Sequence, residues 1–368
     1  MYFILKCRKR FFISLASLIA ITLILSTLIF SDIFFKENES SLYAFSENGD
    51  TYIKWVEFDV PLELMQAAIE MDIDSYYATD NLRLNWVEML AVLATKYYGN
   101  YSNYKLSDLQ SIANDLKNGL TPEEIVGSIK NYPYYLESYT AVLGGFVGEY
   151  ETEVEKDGEK VWESQYGLKV FSPIAKGYAY NHYDDFGNSR NYGYKRKHLG
   201  HDLMVLVGTP IIAVESGIVE IMGWNTYGGW RIGIRSFDGI RYYYYAHLRQ
   251  NRPFAENLKA GQAVMAGDVI GYAGRTGYST KENTNGITQT HLHYGLQLIF
   301  DDVQKDGTNQ IWIDLYDLTR LLERKRSGTV RDSETKEHTR LYGFREEVPQ
   351  NPFIPDPLVV DDDSQYTQ

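Results

Sequence analysis

Lys197-His198-Leu199-Gly200-His201-Asp202 places two histidines and an aspartate within six residues. Two later stretches, Tyr245-Ala246-His247-Leu248 and Thr290-His291-Leu292-His293-Tyr294, add three more histidines. Imidazole and carboxylate are donors of hydrolytic zinc sites, which take three protein ligands and leave one position for water. These stretches supply such a set with two imidazoles to spare. In a strand, residues two or four apart share a face. His198 would then face the same way as Asp202, and His291 the same way as His293. His201 would face the opposite side, which argues against it as a ligand. Gly208, Gly217, Gly233 and Gly239 punctuate the β-branched and aromatic residues between the motifs, as expected of short twisted strands and turns.

The order H-x-x-x-D, then His-Leu after an aromatic strand, then H-x-H resembles the lysostaphin-type (M23) peptidoglycan endopeptidases. The Thr209–Val219 stretch is similar to that family's strand pair after the first ligands, and Gly261–Gly277 to its glycine-rich segment. The resemblance covers roughly residues 165–300. It implies a small antiparallel β domain in which His198, Asp202 and His293 bind zinc (Zn2+). It places His247 and His291 beside the metal, with His291 expected as the base and His247 as the stabiliser of developing charge. His182, His201 and His338 are read as ordinary surface or core residues. The implied activity is zinc endopeptidase action on stem or cross-link peptides of peptidoglycan, outside the cytoplasmic membrane. The alternatives are a non-catalytic scaffold of the same fold that activates other wall hydrolases, and a protease acting outside the wall. The loop from Tyr278 to Thr290 is longer than the family's usual turn, and some rings of Tyr242–Tyr245 are expected to line a peptide groove.

The net charge of -13 speaks against a nucleic-acid partner and against simple adhesion to anionic lipid or wall polymers. One cysteine, Cys7, excludes an intrachain disulfide framework and a cysteine-rich zinc site. Lys6, Arg8, Lys9 and Arg10 precede an uncharged apolar run from Phe11 to Ser31, long enough to span a bilayer as a helix. The positive flank predicts a cytoplasmic N-terminus, residues 1–10, and an external remainder. A cleaved signal peptide competes with an uncleaved anchor. The length of the run and the lack of a small-x-small site close behind it favour the anchor.

The chain therefore reads as α+β: a transmembrane helix (11–31), a linker (32–50), a small helical domain (51–150), a β-sheet peptidase domain (160–326) and a flexible tail (327–368). Asn85, Ser107 and Thr121 are candidate helix caps, with Pro122 at the first helical position and Gly119 as a stop. Glu88 is the nearest candidate for a lysozyme-like general acid, but the Glu-Ser pair of that family is missing. The helical domain reads instead as a spacer, a substrate-presenting module or the docking site of a protein partner. Glu149–Lys160, with its Asp-Gly turn signal, is expected at the domain boundary or in an exposed hairpin.

Overall fold

The computed structural model describes residues 43–45, 51–79, 82–191, 195–301, 304–305, 307 and 310–354. The expected cytoplasmic tail, the Phe11–Ser31 anchor, Cys7 and most of the linker lie outside the described residues. Among the described residues no helix is long and apolar enough to cross a membrane. The described residues fall into two units, divided between Trp55 and Val56. The described part of the first includes a short antiparallel pair, β1 (Tyr43–Phe45) with β2 (Thr51–Ile53).

The second unit opens with helices α1 (Leu62–Tyr77), α2 (Trp86–Tyr97), α3 (Leu106–Lys117), α4 (Pro122–Val126) and α5 (Tyr132–Leu143). Asn85 caps α2 by accepting from the amides of Val87 and Glu88. Thr121 and Glu124 form a capping box on α4, satisfying two otherwise unpaired donors reciprocally. Ser107 does not cap α3. The helix starts one residue earlier, at Leu106, and the Lys105 carbonyl already accepts from Asp108. Glu88 is half-buried in the first turn of α2, and burial together with Glu123 pushes its carboxyl up.

Strands β3 (Val147–Lys156) and β4 (Glu159–Leu168) pair along their whole length. Asp157 and Gly158 join them, both at positive φ (53° and 84°), the backbone that the Asp-Gly signal calls for. There follow β5 (Asn181–His182), β6 (Ser189–Arg190), β7 (Arg196–Lys197), β8 (His201–Met204), β9 (Pro210–Ile212), β10 (Gly217–Asn225), β11 (Gly229–Ser236) and β12 (Arg241–Ala246). Then come β13 (Ala263–Val264), β14 (Val269–Tyr272), β15 (His291–Leu298), β16 (Ile311–Trp312), helix α6 (Tyr316–Leu322), β17 (Thr329–Arg331), β18 (His338–Arg340) and β19 (Phe344–Arg345). The main sheet runs β13-β10-β11-β12-β15-β8-β5, with β16 also on β15. Its strands pair antiparallel throughout.

Two expectations are corrected. The four tyrosines 242–245 are all buried, because β12 sits in mid-sheet between β11 and β15 with both faces covered. None lines an open groove. Residues 327–354 are no flexible tail. β19 adds to the edge of β3, Phe344 is buried against Tyr150 at 5.2 Å, and the Ser327 hydroxyl donates to the Gly267 carbonyl at 2.7 Å. The polar composition that suggests disorder is satisfied here by partners far away in sequence. Residues 355–368 lie outside the described residues.

Helices and sheet are joined by a buried fork. Arg241 binds both carboxylate oxygens of Glu215, at 2.8 and 3.0 Å, and donates to the Ala141 carbonyl on α5 at 2.9 Å. A buried carboxylate of this kind is tolerated only with its charge and lone pairs matched, and Tyr243 supplies a further donor at 2.6 Å. The helical segment is thereby fastened to the same sheet that carries the histidines.

Candidate metal centre

Register brings the donors together. In the β15–β8 pair His293 stands opposite Asp202, and His291 opposite Met204. Directly opposed residues share a face, so Asp202, His293 and His291 emerge on one side. His201 stands opposite Tyr294 on the other side and is fully buried, with Nε2 2.8 Å from Nδ1 of His182. The expected face for His201 is correct, but the reason given for His198 is not. His198 lies in the loop before β8 and reaches the site by a turn of the chain rather than by strand alternation.

The three donors form a tight triangle. His198 Nε2 is 3.1 Å from Asp202 Oδ1 and 3.1 Å from His293 Nδ1, and His293 Nδ1 is 2.9 Å from the same Oδ1. A tetrahedral zinc with ligands at about 2.0–2.1 Å needs donor–donor edges of about 3.3–3.4 Å. Outward shifts of a few tenths of an ångström would therefore admit the ion. Burial pushes the Asp202 carboxyl up, but its close contacts with His198 and His293 outweigh this and hold the group well below the usual carboxylate range. Burial lowers His293, against the opposing pull of Asp202. Imidazole, imidazole and carboxylate crowded at this distance are a donor set suited to zinc.

The two remaining histidines stand beside the triangle. His247 ends β12 at φ +61°, an uncommon backbone for a residue with a side chain. Its amide donates to the Gly228 carbonyl at 2.8 Å, and its own carbonyl accepts from Gly274 at 3.0 Å. Nδ1 of His247 donates to the Thr276 carbonyl at 3.0 Å, and Nδ1 of His291 to the Gln289 carbonyl at 2.9 Å. A carbonyl only accepts, so in the neutral rings Nε2 is left with its lone pair. The ring centres are 4.8 Å apart, and Nε2 of His291 is 3.8 Å from Asp202 Oδ1. Burial, reinforced by His291 and His293, lowers His247 well below the ordinary imidazole range.

Several contributors escape sequence reasoning. Gly200 lies against the His293 ring, and Arg190 reaches Asp202 Oδ2 at 3.3 Å. Arg196 donates to the Tyr278 hydroxyl at 3.0 Å and lies over the Tyr227 and Tyr278 rings, bridging the rim beside His247. The long loop after Tyr278 is pinned by Asn283, which accepts from the Trp230 indole at 2.9 Å and the Asn251 amide at 2.8 Å. The glycine within His198-Leu199-Gly200-His201 is a visible signal. Nothing local marks Arg190.

Residues 196–306 match the family described as "Peptidase family M23". The L-Ala–D-Glu endopeptidase of Bacillus subtilis (strain 168) is 39% identical over 153 residues, 41% of this chain and 43% of that protein. A glycyl-glycine endopeptidase of Staphylococcus capitis is 35% identical over 133 residues, 36% of this chain and 32% of its own length. The catalytic domain of lysostaphin from Staphylococcus simulans shares 30% identity at a TM-score of 0.29, covering 38% of this chain and 92% of that domain. The matched segment thus spans less than half of the two curated relatives. The stretch that carries these five residues thus matches the M23 peptidase family along 196–306.

Proposed function

We propose that this chain is a zinc-dependent endopeptidase cleaving peptide bonds in bacterial peptidoglycan, with His198, Asp202 and His293 as the metal ligands. The observation that carries the reading is the 2.9–3.1 Å donor triangle with His291 Nε2 3.8 Å from Asp202 and the His247 ring 5.9 Å from that of His293. Zinc held there would supply Lewis acidity toward water and a peptide carbonyl. His291, with a lone pair at Nε2 close to Asp202, is placed to take a proton from the attacking water and to return it to the leaving amine. His247 is neutral at rest because burial disfavours its charged form. By taking a proton from solvent at Nε2 as negative charge develops beside it on the tetrahedral oxygen, it becomes a donor to that oxygen, which suits a stabiliser.

The apolar Phe11–Ser31 run behind four basic residues supports a single-pass anchor with the catalytic domain extracytoplasmic. That position would give the enzyme access to the wall. The relatives cut different bonds, L-Ala–D-Glu in one and glycyl-glycine in the other. The deciding experiment is therefore mass spectrometry of muropeptides released from purified sacculi by the zinc-loaded chain. Release of peptide fragments with new termini is expected and names the bond. Intact sacculi in the presence of zinc-loaded protein would leave the non-catalytic scaffold in its place.

A further inference from the structure

We infer that Asp185 is a positioning residue that fixes the tautomer of His198 so that its Nε2 is free for the metal, an inference that rests on the proposed zinc site. Asp185 lies on the loop between β5 and β6, pinned to the chain at His198 in both directions. The Gly187 amide donates to the His198 carbonyl, and the His198 amide to the Asn188 carbonyl, each at 2.8 Å. This sets the Asp185 carbonyl in hydrogen-bond contact with Nδ1 of His198 at 3.3 Å, with the carboxylate Oδ2 also 3.3 Å from that nitrogen.

The same Nδ1 has a competing neighbour. Arg190 Nη2 lies 3.2 Å from it, as well as 3.3 Å from Asp202 Oδ2. The ring therefore has two choices. It can accept from the arginine at Nδ1 and carry its proton at Nε2, where it would block a metal. Alternatively it can donate from Nδ1 to Asp185 and leave Nε2 with a lone pair. Asp185 tips the balance twice: its carbonyl accepts from Nδ1, and its carboxylate, 3.3 Å from the same nitrogen, draws Arg190 into an ion pair. Its Oδ1 is buried without a hydrogen-bond partner. The other oxygen, Oδ2, meets both His198 and Arg190, and the negative charge of the carboxylate also favours a cation nearby. Metal-bound histidines commonly need such a partner on the other ring nitrogen.

The test is zinc affinity of the full-length chain, measured by competition with a chromophoric chelator, together with the visible spectrum of the cobalt-loaded protein. Asp185→Asn and Asp185→Ala should weaken zinc by about 10–100-fold and alter the cobalt bands, while the exposed neighbour Asp184→Asn stays within about twofold. If Asp185→Ala does not fold, the same-shaped Asp185→Asn decides. Wild-type zinc affinity and an unchanged cobalt spectrum in Asp185→Asn overturn the inference and leave the metal site standing. A wild-type chain that binds no zinc overturns both.

Discussion

A Cβ atom on Gly200 would lie 2.5 Å from Cε1 and 2.6 Å from Nε2 of His293. No real side chain tolerates that approach, so the glycine between the two histidines of the first motif is what lets His293 close on Asp202. Gly200→Ala should push the ring out of the triangle. Overpacking of this kind costs about 1–3 kcal/mol, equivalent to about a 5- to 150-fold loss of zinc affinity if it is taken from the site. Chelator competition reads the change directly, and an alanine variant with unchanged affinity would mean that His293 is not a ligand.

His198→Ala, Asp202→Ala and His293→Ala should each abolish stoichiometric zinc. Elemental analysis of the purified chains measures this. In the wild type a chelator should remove activity and lower the melting temperature, and added zinc should restore both, because an ion that binds only the folded state stabilises it. Retention of one zinc by the Asp202 variant would redraw the ligand set.

His247→Ala and His291→Ala should keep zinc and fold. Removing an acid–base group costs a factor of about 10²–10⁴ in rate, and removing an oxyanion donor about 10²–10³. Both variants should therefore release muropeptides near background. Normal wall cleavage by zinc-loaded His291→Ala would exclude it as the base.

His201→Ala should separate stability from metal binding. The ring is fully buried, its Nε2 is 2.8 Å from His182, and its Nδ1 has no hydrogen-bond partner. Truncation leaves a cavity and strands the His182 nitrogen, a loss of about 1–3 kcal/mol for the unpaired group alone. Zinc content should be unaffected, since the ring faces away from the triangle. Denaturant melts alongside zinc analysis test both halves, and loss of the metal from a folded variant would count against the ligand assignment.

Lys325 predicts a pH dependence. Its ammonium lies over the Tyr150 ring at 3.8 Å and near Phe171 at 4.9 Å and Phe344 at 5.6 Å. Burial, then Arg340, push it down from 10.5 to about 7, with Glu346 opposing. The ring faces attract the cation and offset part of that cost. Between pH 7 and 10.5 the unfolded chain binds more protons than the folded one at this group, so its contribution to stability rises with pH across that window. Lys325→Met should flatten this rise. Urea melts of both proteins at the two ends of the window check it, and parallel slopes would show that the amine stays charged.

Much of the molecule was legible along the chain because it depends on neighbours in sequence. Asn85 and Thr121 cap helices through amides two or three residues away, and Asp157-Gly158 turns a hairpin through its own dihedrals. The residue types in three short motifs were enough to single out the five candidate residues and the family they resemble. What sequence could not fix was whatever depends on partners distant in the chain. Strand periodicity gave His198 the right direction for the wrong reason, since a loop carries it to the site. The register of β15 against β8 set Asp202 opposite His293, and β6 with the loop before it delivered Arg190 and Asp185 to the back of the donors. Residues 327–354 look disordered because, beside local contacts such as Asp332 with Thr335, several of their polar groups have partners only far away in sequence. Tertiary structure supplies those partners from Gly267, Tyr272 and the edge of β3, and the hydrogen bonds that make the segment ordered exist only once the sheet has folded.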